Sequence, residues 1–240
     1  MNLEKTIYEY RKFLLKYGNV VKTDDWQGLQ DGFEFLELQS VSFKVEMPET
    51  IEDLATQTNA WLPWAEDHFQ ERICGEPLNP PPSHKYWLKG NENFLCDEKF
   101  SHTYPERFWP KTLLENGIRF KTGDFEDLVR LLQRNRSTRQ AYLPIYFPED
   151  LSASNEGERV PCTLGYHIFI RDNKLNMMYP MRSCDAIRHF HNDLYMAGRL
   201  MQTVRDRVDS CIEIGYLHFV CSSFHCFKND EYTLKKLLGL

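Results

Sequence analysis

Apolar and polar residues recur with two different periods along this chain, and the switches between them outline its elements. Leu3, Ile7, Tyr10 and Leu14 fall on one helical stripe between Leu3 and Lys16, with Gly18 as the stop. From Gly32 to Met47 the run GFEFLELQSVSFKVEM alternates and then slips at Gln39 and Ser40, which predicts strands or one bulged strand. A helix is expected around Trp61 to Arg72. The stretch GEPLNPPPSH that follows holds four prolines, which lack amide donors and fix the backbone angle, so it reads as a rigid loop. Asp124 to Arg134 returns to the helical period through Phe125, Leu128, Val129 and Leu132. A strand-like AYLPIYF comes next, then a polar loop, PEDLSASNEGERV, that ends at Pro161 and Cys162. Two strand-like runs, TLGYHIFIR and KLNMMYPM, flank Asp172 and Asn173, which tolerate the positive backbone angles of a tight hairpin. Asp193 to Arg207 reads as a helix, EIGYLHFVCSS as a buried strand, and Glu231 to Leu238 as a short final helix. Without an internal repeat or a linker, residues 1–240 read as one α+β domain.

Composition narrows the class. With 240 residues, 42% hydrophobic and 27% charged, the chain has the balance of an ordinary globular protein and enough length for a large core. Its apolar runs fall well short of the roughly 20 residues that span a bilayer, and MNLEKTIYEYRKFLLKYGN has the pattern of an amphipathic helix. A cytoplasmic protein with no membrane partner is expected. The seven cysteines share no repeated spacing and read as reduced thiols. A net charge of -6 argues against a grip on polymeric nucleic acid, while a few arginines can still converge on one small phosphate. His189, His191, Cys221, His225 and Cys226 match no standard zinc spacing, so no metal is expected.

The candidate chemistry lies between Arg139 and Asp193. Cys162 follows a proline, an Arg-Ser-Cys-Asp run begins at Arg182, and Arg139 and Gln140 precede both. Taken singly, these read as a small core residue and surface cations. The joint spacing is more informative: Pro-Cys, 19 residues, Arg-Ser-x-Asp, then Asp193 eight positions after Asp185, and GYLHFVCSSFH beyond. That pattern resembles the thymidylate synthase superfamily over about residues 134–227. The resemblance implies a mixed or antiparallel sheet packed with helices and a homodimer formed through the sheet. It also implies a pyrimidine nucleoside monophosphate substrate, with Cys162 as the thiolate nucleophile. Arg182 and Ser183 would hold the phosphate, and Arg139, beside Gln140, would reach the neighbouring subunit's phosphate site. Such chemistry needs a thiolate because C5 of a pyrimidine is a poor nucleophile until a soft anion adds at C6 and makes the ring an enamine. Guanidinium groups nearby favour the thiolate and bind phosphate through charge-assisted bonds.

The base reader distinguishes branches of the superfamily. Synthases carry Asn there, whereas this chain has Asp193 in HFHNDLY, similar to the FRNDY stretch of the bacteriophage deoxycytidylate hydroxymethylases. An amide complements uracil; a carboxyl group accepts from the N4 amine of cytosine while a proton shared with N3 bridges the second contact. Asn192 is adjacent, and a slip of one residue restores a uracil reader. Thr163 after the nucleophile and Met181 before Arg182 also follow the hydroxymethylase pattern. This branch implies 5,10-methylenetetrahydrofolate as co-substrate, Asp185 and Trp109 on the folate side, and water rather than hydride trapping the exocyclic methylene.

A water-ordering glutamate is also implied. LPWAEDHFQERICG resembles the family's Glu-bearing helix, with Glu66 as the candidate and Glu71 as the alternative, and burial is expected to raise its pKa. A solvated helix face is the bland reading of the same residues. Lys22 and Thr23 stand where the family has a loop Arg-Thr, and His225 matches its sugar-binding His, although Phe227 replaces the Tyr that follows. Only 15 residues follow His225, which leads to the expectation that a C-terminal folate lid is missing. A thymidylate synthase acting on dUMP and a non-catalytic nucleotide binder remain the alternatives.

Overall fold

The computed structural model describes residues 2–23, 33–86, 95–110 and 124–240. Helix α1 (Leu3–Tyr17) buries Leu3, Ile7 and Leu14 as its stripe requires, and Asn2 caps it by accepting the Lys5 amide. It stops at Gly18 for want of room: a Cβ there would lie 2.5 Å from the Leu14 carbonyl oxygen, which accepts the Gly18 amide. Strands β1 (Asn19–Thr23) and β2 (Phe33–Glu46) lead to helices α2 (Ile51–Thr58) and α3 (Trp64–Arg72). Helices α4 (Tyr104–Phe108) and α5 (Asp124–Arg134) precede β3 (Tyr142–Pro144), α6 (Glu149–Asn155), β4 (Gly165–Arg171) and β5 (Lys174–Asp185). Helix α7 (Phe190–Val208), β6 (Glu213–Phe227) and α8 (Glu231–Leu237) complete the order.

The strands form one sheet in the order β1-β2-β6-β5-β4-β3, antiparallel except for the central β5–β6 pair. This is the α+β architecture expected, with a mixed sheet packed with helices. Phe43, Phe190 and Phe219 join the sheet to α7 at its core, with ring centroids 5.0–6.1 Å apart. Asp172 and Asn173 turn the β4–β5 hairpin with φ of 51° and 56°, as their residue types predict.

The slip at Gln39 and Ser40 proves to be a kink shared by three strands. Register across β2 and β6 is continuous, with Leu38 opposite Phe224 and Val41 opposite Cys221. Ser40 takes φ of 56°, and the buried positions change parity from Leu36 to Val41, Phe43 and Val45. At the same level β6 changes between Cys221 and Phe224, and β5 between Met181 and Cys184. The residues at the kink of β5 are Arg182 and Ser183, so it lies beside the candidate site.

Four expectations are corrected. PEDLSASNEGERV is not all loop, because α6 forms within it; buried Asp150 accepts the Phe147 amide at 2.7 Å and pairs with Arg107 at 2.7 Å, the second a tertiary contact that local polarity does not disclose. The strand AYLPIYF shrinks to Tyr142–Pro144, and the amides of Ile145 and Tyr146 both turn to the Leu164 carbonyl. The helix expected from Trp61 begins at Trp64, while the one expected from Asp193 begins at Phe190.

Candidate functional site

Cys162 is held in place by the kinked end of β5. The Arg182 amide donates to the Cys162 carbonyl at 2.9 Å, and Thr163 bridges to Met181. Ser183 Oγ donates to Cys162 Sγ at 3.3 Å. The Arg182 guanidinium lies along the approach to the cysteine, donating from Nε to the Pro161 carbonyl and from Nη2 to the Val160 carbonyl, each at 2.9 Å, and from Nη1 to Ser183 Oγ at 3.3 Å. Burial pushes the Cys184 thiol well up and those of Cys221 and Cys226 to about 12. Cys162, by contrast, is half-buried and keeps a hydroxyl donor and a guanidinium at its side.

Behind the cysteine runs a chain of hydroxyls. Thr163 Oγ1 lies 3.0 Å from both Tyr104 Oη and Tyr179 Oη, and Tyr179 stacks on Tyr166 with centroids 4.8 Å apart. Tyr104 is set at the start of α4 by a capping box between Thr103 and Glu106. The guanidinium of Arg72, at the end of α3, lies 3.9 Å over the Tyr104 ring and donates from Nη1 to Tyr166 Oη at 3.4 Å. Sequence reasoning missed Arg72 and Tyr104. A capping box was legible at Thr103, but nothing local marks either side chain as facing the cysteine.

Asp193 joins this group from the first turn of α7. Cys184 Sγ lies 3.8 Å from its Oδ2, and Asp193 and Cys162 both act on the Tyr104, Cys184 and Cys221 side chains through space. Burial raises the Asp193 pKa; His189 and Arg72 pull against it. Asn192 points elsewhere. It is 2% exposed, its Oδ1 accepts the Trp61 amide at 2.8 Å and its Nδ2 donates to the Arg188 carbonyl at 3.0 Å.

The hydrogen bonds of Glu66 among the described residues run to α3 and α7. Glu66 accepts from Tyr195 Oη at 2.8 Å, from Arg199 Nε and Nη2 at 2.9 and 3.0 Å, and from Gln70 at 2.7 Å. Burial works to raise its pKa, but the bonds from Arg199, Gln70 and Tyr195 outweigh it and hold the carboxyl below its ordinary value, opposite to the rise expected from sequence. Glu71 accepts from the Ser83 amide and from Ser83 Oγ, and it lies 3.4 Å from His68 Nδ1, whose ring meets the Tyr104 ring edge-on. Burial, then Arg72, pushes His68 down to about 4, so its imidazole is neutral at pH 7.

The remaining candidates divide. Asp185 closes the turn into α7 through Oδ1, which accepts the Ile187 and Arg188 amides at 2.8 and 2.9 Å, while its Oδ2 lies 3.9 Å from Arg188 Nε. His225 sits opposite Asp185 in the sheet, between the rings of Phe35 and Phe227. Trp109 donates its indole N–H to the Arg72 carbonyl at 2.8 Å. Lys22 is on the edge strand, paired with Glu34 at 2.8 Å. Arg139 and Gln140 are exposed in the turn before β3; the Arg139 carbonyl lies 3.0 Å from His167 Nε2, on a face of β4 that no core residue covers. Among the described residues there is no group of three or more His, Cys, Asp or Glu side chains that could hold a metal, and no helix long and apolar enough to cross a membrane.

The kinked six-stranded sheet with its helical layer has the thymidylate synthase fold. Thermostable thymidylate synthase A from Bacillus subtilis is similar to this chain along all of its length and over 84% of that chain, with a TM-score of 0.70 and 16% sequence identity. No protein-family model and no curated protein matches the sequence.

Proposed function

We propose that residues 1–240 form one catalytic domain of a pyrimidine nucleotide C5 hydroxymethyltransferase that converts a cytidylate to its 5-hydroxymethyl derivative. The observation that carries this reading is the division of labour at the start of α7, where Asn192 is consumed by backbone groups while Asp193 stands beside Cys184 on the cysteine's side. The Cys162 thiolate adds to C6, and C5 gains enamine character. Ser183 Oγ steadies the sulfur, and Arg182 with Ser183 takes the phosphate. Asp193 accepts from the N4 amine, and its raised pKa suits a proton shared with N3. When bound, 5,10-methylenetetrahydrofolate supplies the one-carbon unit. Trp109 and Asp185 would hold it: Trp109 is half-buried, and among the described residues Asp185 Oδ2 accepts no hydrogen bond, with Arg188 Nε at 3.9 Å. Once C5 has taken up that carbon, loss of the C5 proton with release of the folate amine would leave an exocyclic methylene; water adds to it, and Cys162 is expelled from C6 as the thiolate while the C5–C6 double bond re-forms.

We also infer a homodimer. The sheet face carrying His167, Phe169, Tyr216 and His218 is half-buried at most, and Arg139 stands at its edge without touching Cys162, Arg182 or Ser183 of its own chain. That placement suits a residue that completes a partner's phosphate site.

The test is to incubate the protein with dCMP, CMP or dUMP tritiated at C5, with and without methylenetetrahydrofolate, following tritium release and the mass of the nucleotide. Release from a cytidylate, with gain of one hydroxymethyl group and none in Cys162→Ala, is the expected result. Release from dUMP alone would make this a synthase-like enzyme, and release from none would leave a nucleotide binder.

A further inference from the structure

The kinked sheet carries a polar shelf beside the nucleophile. Where the strands bend, Ser183 of β5 lies beside Ser223 of β6, which lies opposite Gln39 of β2; one row further on, Asp185 lies beside His225, which lies opposite Glu37. Residues paired across a sheet, and residues two apart along a strand, share a face, so these side chains project from one side. Ser183 Oγ is also the group that donates to Cys162 Sγ, so the shelf begins at the cysteine. It ends at Phe35 opposite Phe227, whose rings lie 5.6 and 5.3 Å from that of His225.

Glu37 is the uncommitted anion of this shelf. It is half-buried, forms no ion pair among the described residues, and takes bonds from two neutral donors, Ser223 Oγ on Oε1 and Gln39 Nε2 on Oε2, the latter at 3.0 Å. Asp185, by contrast, is spent on the amides of its own turn. Fastening β2 to β6 accounts for the bond from Ser223, yet each carboxylate oxygen can accept a second donor, so Glu37 keeps an open acceptor site on both. A carboxylate in that condition suits a ligand that brings two hydroxyls side by side.

Reach selects the ligand. Neighbouring strands lie about 4.8 Å apart, which puts Ser223 one spacing and the strand of Glu37 two spacings from Ser183. A pyrimidine joined to Cys162 through C6 carries its sugar on the adjacent N1, so its sugar hydroxyls lie a comparable distance from the sulfur. Ribose presents vicinal hydroxyls at C2' and C3', one for each carboxylate oxygen, whereas 2'-deoxyribose keeps only that at C3'.

We infer that Glu37, steadied by Ser223 and Gln39, is a specificity-determining residue that accepts the 2'- and 3'-hydroxyls of a ribose, so that the substrate of this site is the ribonucleotide CMP rather than dCMP. The base in that statement rests on the cytidylate reading; the choice of sugar does not.

The experiment measures binding by calorimetry, without folate, for CMP, dCMP, UMP, dUMP and the arabinose epimer of CMP, whose 2'-hydroxyl points to the opposite face of the sugar. CMP should bind about tenfold or more tighter than dCMP and than the epimer, the loss expected for one hydrogen bond to a charged group. Equal affinities for CMP and dCMP, or for CMP and the epimer, overturn the inference. Glu37→Gln and Glu37→Ala change a half-exposed side chain, so both should fold, with urea midpoints as the check. In each, the ratio of CMP to dCMP affinity should collapse toward unity, and a ratio that survives in both overturns the role of Glu37. Tritium release with methylenetetrahydrofolate separates this inference from the proposed reaction. Release from dCMP as fast as from CMP would keep the cytidylate reading and overturn the sugar preference. UMP bound in preference to dUMP, with the same dependence on Glu37 and no release from a cytidylate, would keep Glu37 in this role and discard the proposed substrate.

Discussion

Helices α3 and α7 each contribute one arginine and one carboxylate, and the two sets of side chains are in opposite situations. At the outer end Glu66 and Arg199 meet in a bidentate pair at 2.9 and 3.0 Å, with Tyr195 and Gln70 filling the remaining acceptor sites. At the inner end Arg72 and Asp193 form no ion pair among the described residues: Arg72 has a buried Nε–H without an acceptor, and the Asp193 carboxyl takes a bond from the Cys184 thiol. A closed pair fastens helices. Unmet polar groups remain available to a ligand. Glu66, the first acidic candidate in α3, is thus committed to α7, while Arg72 of the same helix stacks on Tyr104.

The sharpest way to break this comparison is to neutralise one carboxylate at each end. Asp193→Asn keeps the size of the side chain and disturbs little packing, so stability should change by less than about 1 kcal/mol. Its effect should fall on the substrate: exchange of the C5 proton of a cytidylate should drop by roughly a hundredfold or more, with dUMP gaining in its place. If stability falls and preference stays, Asp193 belongs to the closed kind. Glu66→Gln should do the reverse. It breaks a charge-assisted bidentate pair around Arg199, at a cost of about 2 kcal/mol in urea unfolding, less than for a fully buried pair because 28% of the Glu66 side chain meets water. The variant should turn over nucleotide normally once folded. Because the folded Glu66 pKa is depressed, its stabilisation is fully present above the unfolded value of about 4.3 and is lost as pH falls through the folded value. The gap between wild-type and variant urea midpoints should therefore close in acid.

Much of the cysteine side of the site was legible because it is local to one hairpin. Asp172 and Asn173 set the turn, and the 19 residues between Cys162 and Arg182 are what that hairpin needs to bring Thr163 against Met181. The kink was visible as a slip at Ser40, although one strand could not show that β5 and β6 bend with it. The opposite wall was not legible. Whether Glu66, Glu71 or Arg72 faces the cysteine depends on how α3 is rotated about its axis, and Tyr195 and Arg199 of α7, more than a hundred residues away, decide that. Helix α6 escaped notice for the same reason, since the groups that hold Asp150 lie in α4 and in the chain before Pro148.

The smallest expected effect tests how far the open region extends. Thr163→Val preserves shape and removes the hydroxyl that joins half-buried Tyr104 to buried Tyr179. Two tyrosine hydroxyls then need other partners. If the pocket wall is as closed as the Glu66 end, both are stranded and unfolding should become easier by about 2–3 kcal/mol. If the wall is open toward the cysteine, Tyr104 Oη turns to water in the pocket while Tyr179 Oη keeps Tyr166 within reach, and the loss should be about 1 kcal/mol. The Arg72 geometry favours the smaller figure, because a guanidinium lying 3.9 Å over the Tyr104 ring with an unmet donor leaves room for another acceptor there. Urea unfolding of Thr163→Val beside Glu66→Gln measures both ends of the comparison on one scale, and equal costs would remove the distinction between them.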